Sequence, residues 1–149
     1  MSLHLQIGQT VVFSSFTLQE VIDQYAEQVL EPLAKKYRIK IEKVGDKPIK
    51  MFSLSADGEK FSLSGNIIKG DKNKGVDVKN SEKLLKNIFK YLPKAIAIGK
   101  KIAKTNDSPF YSDISRHLEA EIPKKTLGHT DLFSVACDVI RNKGIKIWS

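Results

Sequence analysis

The stretch YRIKIEKVGDKPIKMFSLSADGEKFSLSGNI, residues 37–67, decides the fold class. Ile39 and Ile41 alternate with Lys40 and Glu42, the period of a half-buried strand over 37–44. GDKP (45–48) reads as a turn. IKMFSLS (49–55) and EKFSLSGNI (59–67) read as two further strands, and Asp57-Gly58 between them is a strong hairpin signal. Three consecutive short strands with short connections imply antiparallel pairing.

The flanks add helices to this meander. Thr17 and Glu20 form the T-x-x-E of a capping box, with Phe16 and Val21 at the positions of a hydrophobic staple. Leu18, Val21, Ile22, Tyr25, Val29 and Leu33 recur on one face, which predicts a helix over 18–36 that Pro32 kinks or shortens. LHLQIGQTVVF predicts one strand near 3–13. On the other side, Lys69 to Lys79 reads as a loop broken by Gly70 and Gly75. A helix begins near Ser81 and extends towards Lys104, with Pro93 ending one piece or starting another. SPFYSDISRHLEAEI gives a helix at about 109–121. TDLFSVACDVIRNKG gives the last, with Thr130 as N-cap, Asp131 at the positive end of the dipole and Gly144 as C′. IKIW (145–148) predicts a closing strand.

The expected fold is therefore α+β, one domain over 1–149. An antiparallel sheet of about 4–5 strands packs on 3–4 helices in the order β-α-β-β-β-α-α-α-β. The length suits one domain, and a chain this long buries enough surface to need neither disulfide nor metal for stability. Apolar residues make up 41% and charged residues 28%, an ordinary soluble composition. Cys137 is the sole cysteine, which excludes an internal disulfide and fits a reducing, cytoplasmic setting. The opening MSLHLQIGQTVVF has no basic n-region, which reads against a secretory signal. No apolar run approaches the ~20 residues of a membrane span.

Charge carries the functional reading. The net charge is +8. Residues 1–68 hold eight basic and eight acidic side chains and residues 105–149 hold six of each, so the excess lies wholly in 69–104. At 100° per residue, Lys79, Lys83, Lys86, Lys90, Lys94, Lys101 and Lys104 fall within an arc of roughly 80°. Leu85, Ile88, Phe89, Leu92, Ile96 and Ala103 lie opposite. Like charges three and four residues apart repel by roughly 0.2–0.5 kcal/mol per pair, and only Glu82 relieves this locally. A helix that carries such a ridge suits a polyanionic partner, although a charge run also serves simply as a solvated face. An anionic membrane surface fits less well, since the apolar face that docking needs would fill the core.

The leading expectation is a non-enzymatic protein that binds RNA or DNA with little sequence specificity. Lys72, Lys74, Lys79, Lys83, Lys86, Lys90 and Lys94 would contact backbone phosphates. Phe89 lies on the apolar side and Tyr91 at its border, so base stacking on this helix is disfavoured. The alternative is an adaptor module that docks an acidic protein through the basic helix. The order α-β-β-β-α over residues 17–92 resembles the topology of double-stranded-RNA-binding domains. That resemblance implies lysines at the start of the second helix, here Lys79, Lys83 and Lys86, contacting phosphates across a groove.

Two histidine–carboxylate pairs raise a third class, a metal-dependent hydrolase. His117-x-Glu119 resembles the H-x-E of zinc deaminases, but the P-C-x-x-C they require is absent. His129-x-Asp131 resembles the G-H-x-D of some zinc exopeptidases. On a helix His117 shares a face with Glu121 rather than Glu119, so a composite site would use His117, Glu121, His129 and Asp131. Plain roles suit each: His117 on a wet face, His129 before the cap, Asp131 at a helix start. Cys137, at the edge of an apolar arc, reads as a small core residue. No G-x-S-x-G, P-loop or dinucleotide fingerprint occurs, so no catalytic residue, metal or cofactor is assigned. YSDISRHLEAEIPKKTLGHTDLFSVACDVIRNKGIKIW resembles the end of a winged helix. Asp131 and Asp138 against Arg141 on its recognition helix would oppose phosphates, so a packed helix pair is the simpler account.

Overall fold

The computed structural model describes residues 3–45, 51–69 and 75–149. β1 (Leu3–Ile7) and β2 (Thr10–Ser15) come first, followed by α1 (Leu18–Tyr25), a π-helical turn (Ala26–Leu30) and α2 (Glu31–Lys36). β3 (Lys40–Val44), β4 (Phe52–Ala56), β5 (Glu59–Leu63) and β6 (Asn66–Lys69) precede the long α3 (Val78–Thr105), and α4 (Tyr111–Glu121) and α5 (His129–Asn142) close the order.

The strands form two separate antiparallel sheets of three, β2-β1-β6 and β3-β4-β5. This corrects the expectation of one sheet of 4–5 strands. Two breaks cause the difference. Residues 3–13 are not one strand: Gly8, at φ +61°, turns the chain back on itself and β1 pairs with β2. Residues 59–67 are not one strand either. At Ser64-Gly65 the chain leaves the second sheet, and β6 joins the first beside β1. Gly65 permits that crossing, since a Cβ there would meet the Gln6 carbonyl oxygen and Leu5 Cδ1, each at 3.0 Å. The closing strand is absent as well. Residues 145–148 contribute a single parallel bridge, Phe110 to Trp148. The β4–β5 hairpin matches its signal, with Asp57 at φ +53° and Gly58 at φ +77°.

The first helical stretch starts as its sequence predicts: the Thr17 hydroxyl accepts from the Glu20 N–H at 3.1 Å. The staple does not form, because Phe16 is 77% exposed. Pro32 sits in the first turn of α2, where its missing N–H does least harm, and the π-helical turn just before it adjusts the register. The helix α3 is continuous through Pro93 and begins earlier than expected, with the Asp77 carboxylate accepting from the Asn80 N–H at 3.1 Å. The last helix starts one residue before Thr130, and Gly128 takes the N-cap place.

One contiguous core joins these parts. Leu5 and Ile7 from β1, Phe52 and Leu54 from β4, and Leu85, Ile88, Phe89 and Leu92 from α3 are all buried. Tyr25 stands between Phe13 and Phe52, with ring centroids 5.9 and 5.8 Å away. Helix α5 is the central packing element. One side of it lies along α3 and another against β5. The Asp138 carboxylate accepts from the Ser62 N–H at 2.9 Å, and the Asn142 amide donates to the Lys60 carbonyl at 2.7 Å. Among the described residues no helix is long and apolar enough to cross a membrane.

Candidate nucleic-acid interface

The apolar positions of α3 fix which way its lysines point. Leu84, Leu85, Ile88, Phe89, Leu92, Ala95, Ile96, Ile98 and Ile102 are buried against α5 and the strands. Lys79, Lys83, Lys86, Lys90 and Lys94 are therefore all exposed, as are Lys101 and Lys104. At 1.5 Å of rise per residue, the ridge from Lys79 to Lys104 is about 38 Å long. Lys72 and Lys74 lie outside the described residues. Among the described residues, no carboxylate comes within ion-pair distance of the ridge lysines. Lys90 Nζ stands 5.5 Å from the Tyr91 ring centroid, and Lys100 Nζ donates to the Asp57 carbonyl at 3.1 Å. The ion pairs lie elsewhere, as in Lys40–Glu42 and Arg116–Asp113. The electrostatic result is a rod of ammonium groups with no carboxylate partner among the described residues.

The ridge is flanked by two clefts. One, of about 840 Å³, is lined by Glu59, Lys100, Lys101, Lys104, Lys143 and Ile145. Glu59 is only 5% exposed, and Lys143 Nζ holds its carboxylate at 2.8 Å. The four lysines against one glutamate leave this cleft at +3. Sequence reasoning missed it. The Lys100-Lys101-x-x-Lys104 cluster was the available signal, but Glu59 and Lys143 come from distant segments. The second cleft, of about 390 Å³, lies between α3 and α4 and includes Lys94, Lys101, His117 and Glu121.

His117 and Glu121 share a face, as helical spacing required. The four-residue composite site does not assemble. Among the described residues, no three His, Cys, Asp or Glu side chains converge on a place for a metal ion. His117 Nδ1 donates to the Asp113 carbonyl at 2.8 Å, the ordinary i−4 bond of a helical histidine. His129 Nε2 is buried with no hydrogen-bond partner among the described residues. Asp131 sits in the first turn of α5, where burial raises its pKa to about 6. Cys137 is buried, and desolvation pushes its thiol up to about 11, which makes it a poor nucleophile at neutral pH.

The α-β-β-β-α order is interrupted by β6, which pairs with β1, and α3 packs chiefly on α5. Phe89 is buried and Tyr91 half-buried, so the ridge offers no stacking platform of its own. Comparison with protein-family models, curated proteins and solved structures gives no match to the chain.

Proposed function

We propose that the protein binds RNA or DNA through the phosphate backbone, with α3 laid along the nucleic acid and little reading of base sequence. One observation carries the proposal: a ridge about 38 Å long, comparable to one turn of duplex, on which seven lysines stand exposed and without carboxylate partners among the described residues. Lysine is a flexible point charge, suited to phosphate and poorly suited to bidentate base recognition. Lys79, Lys83, Lys86, Lys90 and Lys94 form the contact set, with Lys101 and Lys104 extending it. Lys72 and Lys74 would add charge at the N-terminal end. No chemistry on a substrate is involved. A cytoplasmic setting suits both this role and a single reduced cysteine. Fluorescence anisotropy with labelled double-stranded RNA, double-stranded DNA and single strands tests it. Tight binding that weakens steeply with salt supports the proposal, and no binding at low salt removes it.

A second reading, an adaptor that docks an acidic protein, draws on a different observation. Val12, Val29, Leu33, Val78 and Leu85 line an open groove beside Glu82 and Lys86, between β2, the π-helical turn with α2, and the start of α3. An apolar groove that adjoins the lysine ridge at Lys86 fits an amphipathic acidic segment, with Glu82 as the one opposing charge. A complex that survives high salt, with no nucleic acid bound, would favour this reading.

A further inference from the structure

Phe110 and Trp148 are large and apolar, yet 48% and 45% exposed. They are also neighbours. Their backbones form a parallel bridge, in which the Tyr111 N–H donates to the Trp148 carbonyl and the Trp148 N–H to the Pro109 carbonyl, each at 2.9 Å. The two rings thus project from adjacent segments that the backbone holds in place. Lys146 Nζ lies 4.0 Å from the Trp148 ring centroid.

Phe110 follows the C-terminal end of the ridge helix by five residues in sequence. Helix α3 ends at Thr105, and Pro109 follows after a short turn. Ile145, on the segment that ends in Trp148, shares the +3 cleft with Lys100, Lys101 and Lys104. Exposed aromatic rings on segments that lead into a lysine-lined cleft are the combination that single-stranded nucleic acid requires: π faces for bases of any identity and cations for the phosphates between them. An exposed cation–π contact is weak, so a base can displace the Lys146 ammonium, which then meets that nucleotide's own phosphate. A blunt duplex keeps its bases stacked internally and offers these rings little.

From this juxtaposition we infer that Phe110 and Trp148 stack unpaired bases, so that the preferred ligand carries a single-stranded segment next to the part held by the ridge. The inference rests on the nucleic-acid reading and narrows its ligand class. It differs from that reading in what it demands of an experiment.

Trp148 is the only tryptophan, so its emission reports on this place alone. A short single strand, a blunt duplex and a duplex with an overhang are titrated into the full chain at low salt. The single strand and the overhang should quench Trp148, and the blunt duplex should leave it nearly unchanged. Trp148→Leu should weaken single-strand binding about tenfold, the scale of one lost base stack, with blunt-duplex affinity retained. Phe110→Ser keeps the reporter and should reduce the quenching, which covers the case in which the tryptophan variant fails to fold. Binding of all three probes with silent Trp148 emission and no effect of Phe110→Ser overturns this inference and leaves the backbone-binding proposal standing. Absence of binding to every probe overturns both.

Discussion

Gly99 of α3 and Val139 of α5 meet so closely that a Cβ on Gly99 would lie 2.8 Å from the Cβ of Val139 and 2.9 Å from the Ala136 carbonyl oxygen. Glycine inside a helix is unfavourable by roughly 1 kcal/mol relative to alanine, yet here it lets the two helices approach. This contact lies on the buried face of α3, opposite the lysine ridge. Gly99→Ala should gain that propensity and lose typically 1–3 kcal/mol to overpacking, for a net destabilisation of about 1 kcal/mol. Urea unfolding measures it. A higher midpoint than the parent would show that the helices do not touch at this point.

Asp131 gives stability a particular pH dependence. Its folded pKa, about 6, lies above that of a free aspartate because burial disfavours the charge. A raised folded pKa means that the stabilisation is fully present below about pH 4 and is lost as pH rises through about 6. This residue therefore makes the fold less stable at neutral pH than at pH 4, by about 2 kcal/mol in the absence of other titrations. Asp131→Asn should flatten the stability profile across that window. A variant profile parallel to the parent's would show that Asp131 titrates normally.

Tyr25 faces the same carboxylate. Its phenol is held protonated, first by burial and then by the Asp131 charge, and its hydroxyl has no hydrogen-bond partner among the described residues. Removing a buried, unsatisfied hydroxyl should help the fold. Tyr25→Phe keeps the packing against Phe13 and Phe52 and should stabilise the protein by about 1 kcal/mol. Loss of stability in thermal unfolding would reveal a partner for that hydroxyl.

Pro93 interrupts the hydrogen-bond ladder of α3 midway along the ridge. Proline in a helix interior is unfavourable by about 3 kcal/mol, and α3 stays continuous because the side chains around it are buried in the core. Pro93→Ala should restore the ladder and raise stability by about 1–2 kcal/mol, less than the full propensity difference because the neighbouring turns have adapted. A lower denaturation midpoint would indicate that the proline-set geometry is needed for packing.

Much of this was legible in the sequence, and the failures have physical causes. The β4–β5 hairpin and the Thr17 cap followed from local chemistry that tertiary structure had no reason to override. The ridge followed from helical period alone, because its apolar complement on α3 is unambiguous. The division into two sheets was not read, although Gly8 and Ser64-Gly65 stand at the breaks. A glycine marks a place where the chain can turn, and which strand it then pairs with depends on contacts far away in sequence. The same reason hid the Phe110–Trp148 pair and the Glu59–Lys143 cleft, whose members lie 38 and 84 residues apart. The four-residue metal set, weighed from spacing but not assigned, does not come together: His117 belongs to the α3–α4 face, and His129 and Asp131 belong to the start of α5.

The central claim is that the ridge on α3 binds phosphates, and the salt dependence of Lys83→Gln/Lys86→Gln/Lys90→Gln tests it most directly. All three side chains are exposed, and removing like-charge neighbours on one helix face should leave the fold intact or slightly more stable. Anisotropy with labelled duplex DNA across several salt concentrations gives the slope of log K against log salt. The triple variant should bind more weakly, with a slope shallower by about 2–3, since each phosphate contact contributes about 0.9. An affinity and a slope equal to the parent's, in a variant that folds normally, would show that the ridge is a solvated surface and not the binding site.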